Sequence, residues 1–347
     1  MLSRLKHLNV FFKDPDKKNI LKIFWEVIHF AVVKKTIPTD YFRKFLYRKD
    51  IDNYLDYLSI KEYYSIIESN IMVVPEIASI LQNKLSFAYY CKGYQLPTPK
   101  LISYNIKNHY FINDKVEIIY SNNDLVKVFK TIMKDNDDIN LFLKPIQSQG
   151  GQGCILLTKN TLNAQINSYG HILRQNSYIH QNRIQQHNSI SKIYPHAVNT
   201  LRLTTYIDTH QNIHIISALM RFGMGHTITD NATTGGFYVP IDMESGCLMG
   251  KGRQGIAKGG SVFLKHPDSK LSLKDYEIPF FKDACSLVKQ STTLLPSRII
   301  GWDIAITNNG PIIIEGNERP SLHFTDVAYG GYLKNKHIQN ILTEIKK

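Results

Sequence analysis

LFLKPIQSQGGQGCILL, residues 141–157, opens as an apolar strand, delivers Lys144 and Pro145, turns through Gly150, Gly151 and Gly153, and leaves as a second apolar run. Glycines let backbone N–H groups come close to an anion, and a lysine at the mouth of such a loop balances the charge. A phosphate cradle fits this pattern, and so does a plain glycine hairpin. The stretch is not a P-loop, because no Gly-Lys-Ser/Thr closes it and a strand follows where a helix is required.

The second informative stretch is GWDIAITNNGPIIIEGN, residues 301–317. An Asn-Asn-Gly turn between two apolar runs reads as a β-hairpin. Antiparallel pairing sets Asp303, early in the first strand, beside Glu315 and Asn317, late in the second, and the two-residue spacing points the latter two to one face. Three hard oxygen donors then converge, a set suited to magnesium. A polar strand end is the bland alternative. However, a bare carboxylate embedded in IIIEGN would cost several kcal/mol, roughly, so metal or salt-bridge pairing is favoured.

Outward from these stretches the chain divides into three. Residues 1–80 read as a basic helical region. KKNILKIFWEVIHFAVVKK sets Ile20, Phe24, Val27 and Ala31 at helical spacing, with Trp25 and Ile28 widening the stripe, and DYFRKFLYRKD and residues 60–69 read as further helices. Residues 81–180 are expected to form one α+β lobe. It contains a helix over 83–93, strands at FINDKVEIIY and NLFLKPI, and an amphipathic helix at NNDLVKVFKTIMKD. Residues 181–347 turn strongly to strand in TLRLTTYID, IHIISALMRFG, GGFYVPID and the hairpin above, with a helix over 273–290. Sheets mixed with helices in two consecutive blocks predict an α+β enzyme with a cleft between lobes.

Composition narrows the class. With 347 residues, 43% hydrophobic and 20% charged, the chain is globular and too long for one small core. Its four cysteines are scattered with no CxxC pair, which suits a reducing compartment and argues against zinc knuckles and disulfide frameworks. No secretory signal is read at the start, and no segment is long and apolar enough to span a bilayer. The net charge is +13, and residues 1–50 hold twelve Lys/Arg against five Asp/Glu. A solvated surface, an anionic membrane face contacted peripherally, or a polyanionic substrate each account for that excess. Nucleic acid is not expected, since no recognised motif accompanies the charge. The thirteen histidines show no HExxH or comparable ligand spacing, so a histidine metal site is not expected.

A lysine-proline strand before a glycine loop, followed late in the chain by an Asp and a Glu-x-Asn, resembles the ATP-grasp superfamily. NKLSF (83–87) followed by GYQLPTP (93–99) resembles the opening of its nucleotide-binding core, and YIHQNRIQQH (178–187) its adenine-hinge strand. VNTLR, MRFG, DNATTGG and GWDIAIT look like the sugar-transfer-associated branch near the glutamate-ligase-like proteins. The resemblance runs over about residues 41–330.

The resemblance implies an ATP-grasp fold, two α+β lobes clasping ATP, with a helical N-terminal extension. It implies a cytoplasmic, ADP-forming ligase that uses ATP and Mg2+, with Mn2+ as a substitute, and joins a carboxylate to an amine through an acyl-phosphate. The substrates implied are a carboxylated sugar or polysaccharide precursor of the bacterial surface and an amino acid or other amine. Lys84 and Lys144 would contact the nucleotide phosphates together with Gly150, Gly151 and Gly153. Gln181, where a glutamate is commoner, would stand at the adenine and Gln186 at the ribose. Asp303, Glu315 and Asn317 would hold the metal. A guanidinium fork matches phosphoryl oxygens, so Arg202 is assigned to the transferring phosphoryl group and Arg221 to that group or an acceptor carboxylate, with a cross-strand ion pair as the alternative for each. Asp230 and Asn231 would shape the site. His187, His226, Arg319 and His323 are candidate substrate contacts, although ERPSLH (318–323) departs from the family's small-residue turn. Three alternatives share these residues: a peptide-type ligase on free amino acids, a non-catalytic nucleotide-binding regulator, and a phosphotransferase.

Overall fold

A computed structural model describes residues 9–134, 140–148, 150–232 and 234–346. The chain forms two compact units. The smaller comprises Ser79–Gln185 with a short return, Ile312–Glu315, and the larger comprises Met1–Ala78, Gln186–Pro311 and Gly316–Lys347.

In the smaller unit, helix α5 (Lys84–Gly93) precedes a six-stranded sheet of order β3-β2-β1-β6-β4-β5. Its strands are β1 (Leu101–Ile106), β2 (His109–Ile112), β3 (Lys115–Ile118), β4 (Leu141–Pro145), β5 (Ile155–Leu157) and β6 (Tyr178–Asn182). Every pairing in it is antiparallel. Helix α6 (Asn122–Lys134) buries Leu125, Val128, Phe129, Ile132 and Met133, the i, i+3, i+4, i+7, i+8 stripe of an amphipathic helix. That stripe, with Ile166 and Leu173 of α7 (Leu162–Gln175), closes a core on Leu141, Leu143, Ile155 and Leu157.

The larger unit is organised on a seven-stranded sheet of order β12-β11-β9-β8-β7-β14-β15. Its principal strands are β7 (Thr200–Ile207), β8 (Ile213–Phe222), β9 (Phe237–Pro240), β14 (Ile299–Thr307) and β15 (Gly310–Asn317). The short β11 (Gly252–Arg253) and β12 (Val262–Phe263) complete one edge. On one face, α9 (Phe281–Leu294) supplies Thr292, whose hydroxyl, with that of Thr205, accepts from the indole N–H of fully buried Trp302 at 3.2 and 3.0 Å. The next residue of β7, Tyr206, faces the other way, into a core with Ile66 of α3 (Ile60–Ile67), Leu322 of α10 (Leu322–Ala328) and Ile341 of α11 (Lys336–Glu344).

The N-terminal residues fold into the larger unit. Phe11, Ile23, Phe30, Tyr41, Tyr47 and Ile256 share one core. Four of the twelve Lys/Arg of residues 1–50 are internal: Lys18 pairs with Glu26 at 2.6 Å, Lys34 with Glu62 at 3.1 Å, Lys44 with Asp326 at 2.5 Å and Arg48 with Asp14 at 2.7 Å. All four cationic side chains are buried or nearly so.

Four expectations need correction. FINDKVEIIY is a hairpin and not one strand. Asn113 and Asp114 both take positive φ, 46° and 63°, the geometry of a two-residue turn between twisted strands. Of the helix expected over 273–290, the first turns are strand β13 (Lys274–Glu277), paired with β10 (Cys247–Met249), and α9 starts only at Phe281 after Pro279. The helix at DYFRKFLYRKD stops after five residues, α2 (Thr39–Arg43), because the chain turns at Phe45 with φ 61°. In α1 (Ile20–Lys34) the packed residues are Ile23, Glu26 and Phe30, while Ile20, Phe24, Trp25 and Ile28 of the expected stripe are exposed.

Candidate active site

In the smaller unit a cation-lined loop forms around the glycines. Gly150, Gly151 and Gly153 all have positive φ, 69°, 72° and 73°, a run that side-chain-bearing residues adopt at a cost. A Cβ on Gly153 would sit 3.0 Å from the Pro145 ring. Lys84 starts α5 directly after the N-cap Asn83, whose side-chain Oδ1 accepts from the N–H groups of Leu85 and Ser86 at 3.0 Å. From there the Lys84 ammonium donates to the Ser148 carbonyl at 2.5 Å and ties the helix start to the loop. Lys144 is buried on β4, its ammonium 5.9 Å from the Phe142 ring centroid. Cys154 reports the local field. Burial pushes its thiol above the usual value, Lys144 and Lys84 pull it down, and Glu315 pushes it up.

Gln181 lies on β6, opposite Phe142 of β4 and Leu101 of β1. Its amide nitrogen donates to the Pro99 carbonyl at 3.2 Å, while its buried Oε1 has no hydrogen-bond partner among the described residues. An orphan acceptor of this kind costs about 1–3 kcal/mol, so a ligand donor there would be favourable. On the opposite face of β6, His180 is fully buried with both ring nitrogens engaged.

In the larger unit, β7, β8 and β14 bring Arg202, Arg221 and Asp303 together, and the loop after β8 adds Asp230. Asp303 lies directly across from Arg202 in the β14–β7 register. The Arg202 fork grips Asp303 with Nε on one oxygen and Nη2 on the other, the latter at 2.9 Å. Arg221 Nη2 lies 3.0 Å from the same carboxylate, and its Nε lies 3.4 Å from Asp230. Thr200 links the set. Its hydroxyl donates to Asp230 and accepts from Arg221 Nε and Nη2 at 2.8 and 2.6 Å, and its N–H donates to Asp230 at 2.8 Å. Burial raises the Asp230 carboxyl above its ordinary range, against the pull of Arg221. Sequence reasoning passed over Thr200, although it sits two residues before Arg202 and shares its face of β7.

Gln186, expected at the ribose, donates to the Tyr194 carbonyl at 2.8 Å and accepts twice from Asn199 at 3.0 Å, so a ribose contact there has only one amide hydrogen left. Asn199, also passed over, receives the Gly223 N–H at 3.1 Å and so anchors the loop that leads to Asn231. The Asn231 carbonyl closes that loop by accepting from Thr234 and Gly236, both at 3.0 Å. Gly236 is required because a Cβ would meet the Asp230 carbonyl oxygen at 2.4 Å. His187 caps α8 (Asn188–Ile193) by accepting from the Ser189 N–H at 3.2 Å.

Whether the donor set suits magnesium is testable on these residues. Asn317 Nδ2 donates to the Gly301 carbonyl at 3.2 Å, which fixes the amide flip and leaves Oδ1 as a hard oxygen donor. Asp303 and Glu315 are carboxylates, though the guanidiniums already share both Asp303 oxygens. Among the described residues no three His, Cys, Asp or Glu side chains gather as a metal cage. Magnesium suits such a sparse set only when nucleotide phosphates complete its shell.

No curated protein matches the sequence. Among solved structures, the ATP-grasp ligase PsnB, complexed with a phosphomimetic variant of its minimal precursor, Mg and ADP, aligns at 12% identity and a TM-score of 0.44. It covers 80% of this chain and 62% of its own, so the chain spans about three fifths of that protein. D-alanyl-alanine synthetase A from Vibrio cholerae aligns at 11% identity and a TM-score of 0.45, covering 78% and 68%. D-alanine–D-alanine ligase from Bacillus anthracis aligns at 11% identity and 0.43, covering 78% and 70%. The profile of sugar-transfer-associated ATP-grasp proteins matches residues 70–342, and with most of its length inside that match the chain belongs to the sugar-transfer-associated ATP-grasp family.

Proposed function

We propose that this protein is an ATP- and magnesium-dependent carboxylate-amine ligase of the cytoplasm. Its substrates would be a carboxylated sugar of a bacterial capsule or lipopolysaccharide precursor and an amino acid or other amine. The observation that carries the reading is the left-handed glycine loop held by Lys84 and flanked by Lys144. Backbone N–H groups and two ammonium ions there match a polyphosphate.

The chemistry divides into two balanced steps. A carboxylate oxygen attacks the γ-phosphorus of ATP, the P–O bond to ADP breaks, and an acyl-phosphate forms. The amine then attacks the acyl carbon, the C–O bond to phosphate breaks, and the nitrogen gives up a proton. Positioning and charge neutralisation supply most of the rate, so no Ser or Cys nucleophile is needed. Lys84 and Lys144 hold phosphate oxygens, Gln181 Oε1 accepts from the adenine amine, and Gln186 contacts the ribose. Arg202, whose Nε and Nη2 hold Asp303, would offer Nη1 to the phosphoryl or acyl-phosphate oxygens, with Arg221 beside it and Asn231 shaping the pocket. Asp303, Glu315 and Asn317 are the proposed magnesium ligands, with manganese as a substitute. When bound, the metal neutralises charge on the phosphate oxygens.

The deciding experiment measures ADP release against panels of uronic acids and amines, with mass spectrometry of the products. Release that requires both partners, with an amide product, is expected. ADP without an amine requirement would make the protein a phosphotransferase, and tight Mg-ATP binding without turnover would make it a regulator. Glu315→Ala is expected to lower turnover about a hundredfold, the scale for losing one strong phosphate or metal contact. Unchanged turnover would remove Glu315 from the metal set.

A further inference from the structure

Helix α1 is apolar on two sides. One side packs into the larger unit through Ile23 and Phe30, with Glu26 neutralised by Lys18 beneath them. The other carries Ile20, Leu21, Phe24, Trp25, Ile28 and Val32, which are 39% to 71% exposed. At 3.6 residues per turn these six fall within an arc of roughly 140°, opposite the packed residues. The Phe24 and Trp25 rings touch edge to face at 5.7 Å, so the patch is continuous at its centre. A soluble surface seldom shows a run of this kind unless something covers it.

Charge says what the cover is. The only acid on α1, Glu26, is buried, and the charged groups that α1 and its C-cap present to solvent are Lys22 and Lys35. Lys22 has one exposed partner, Asp52, at 3.3 Å. A second copy docked face to face would set these cations against their own counterparts, whereas an anionic surface would be drawn to them. The helix has 15 residues, and among the described residues no helix is long and apolar enough to cross a membrane. A face of Trp, Phe, Leu and Ile beside lysines is the composition of a helix that lies in the plane of a lipid interface.

We propose that α1 docks on an anionic lipid bilayer, with Phe24 and Trp25 inserted among the acyl chains and Lys22 and Lys35 at the headgroups. This does not depend on the ligase reading, since none of these residues belongs to the candidate active site.

The chain has two tryptophans, and Trp302 is fully buried, so Trp25 is a natural reporter. Purified full-length protein is mixed with phosphatidylcholine vesicles containing one third phosphatidylglycerol, with and without brominated acyl chains. Expected are a blue shift, quenching by the brominated lipid, and sedimentation with the vesicles that weakens with salt. Phe24→Glu and Leu21→Glu, both at exposed positions, are each expected to weaken vesicle binding about tenfold or more while Mg-ATP binding and the thermal midpoint hold. Absence of quenching in the folded wild-type protein overturns the proposal, as does undiminished sedimentation of both variants. A concentration-dependent dimer that Phe24→Glu dissolves, without vesicle binding, would hand the face to a second copy of the chain.

Discussion

At the scale of single residues, the charge cluster of the larger unit is unequal in a way that can be measured. Among the described residues Arg202 pairs with Asp303, whereas Arg221 pairs with Asp303 and Asp230 and also satisfies Thr200. Removing one partner of a buried pair costs about 3–5 kcal/mol because a charge is left uncompensated. Arg221→Met should therefore destabilise by that amount, and Arg202→Met by clearly less, since Asp303 keeps Arg221. Urea unfolding of the two variants decides it, and equal losses would show that the second acid is not carried by Arg221. Gln181 gives a prediction of opposite signs. Its Oε1 is buried without a partner among the described residues, so Gln181→Met should leave stability unchanged or raise it by about 1 kcal/mol while raising the KM for ATP. A variant that loses stability, or binds ATP as well as wild type, would sever the link between that orphan oxygen and the nucleotide.

At the scale of elements, the glycine loop is held by backbone conformation as much as by charge. Gly153 combines φ 73° with Pro145 at 3.0 Å from any added Cβ, so Gly153→Ala should cost about 1–2 kcal/mol and weaken ATP binding. Thermal midpoints and nucleotide titrations test both, and an alanine accepted without loss would mean that the loop has room to relax. The elements read well from sequence were those whose signals are local. Asn309-Gly310 marks the β14–β15 turn, and the period-four stripe from Leu125 to Met133 marks α6. Those misread depended on distant partners. Lys274–Glu277 is a strand because β10, more than twenty residues earlier, pairs with it. Helix α1 is apolar nearly all round, so its pattern predicted a helix but not which side packs. In the candidate site, Lys144, Arg202, Arg221, Asp303 and Glu315 stood out because charged side chains are rare on apolar strands, whereas Lys84, at a helix start, stood out only through the family resemblance. Thr200 and Asn199 did not stand out, since a hydroxyl and an amide announce nothing until the groups they bridge are placed.

At the scale of the whole molecule, buried histidine sets how the fold meets acid. His180 is fully buried, with Nδ1 2.8 Å from Ser103 Oγ and Nε2 3.1 Å from Asn105 Oδ1. The Asn105 amide nitrogen lies within 2.6–2.9 Å of the carbonyls of Lys107, Leu173 and Asn176, which share its two hydrogens, so Oδ1 must accept and Nε2 must carry the hydrogen. A neutral tautomer is thus built in, and burial pushes the His180 pKa down from 6.5 to about 3. An unfolded chain takes up this proton near pH 6.5, while the folded one refuses it until about pH 3. Stability therefore falls as pH drops through that window, by about 1.4 kcal/mol per unit. Burial lowers His266 in the same sense and raises Asp40, Asp230 and Asp326, which oppose it, so the total slope is mixed. A difference measurement isolates the one group. His180→Gln keeps an acceptor for Ser103 and a donor for Asn105 but cannot titrate. The wild-type advantage over His180→Gln in urea unfolding should shrink by about 2 kcal/mol between pH 6.5 and 5, a window in which the folded histidine stays neutral. An advantage that stays constant across that range would mean that water or a local opening reaches the ring and lets it protonate within the fold.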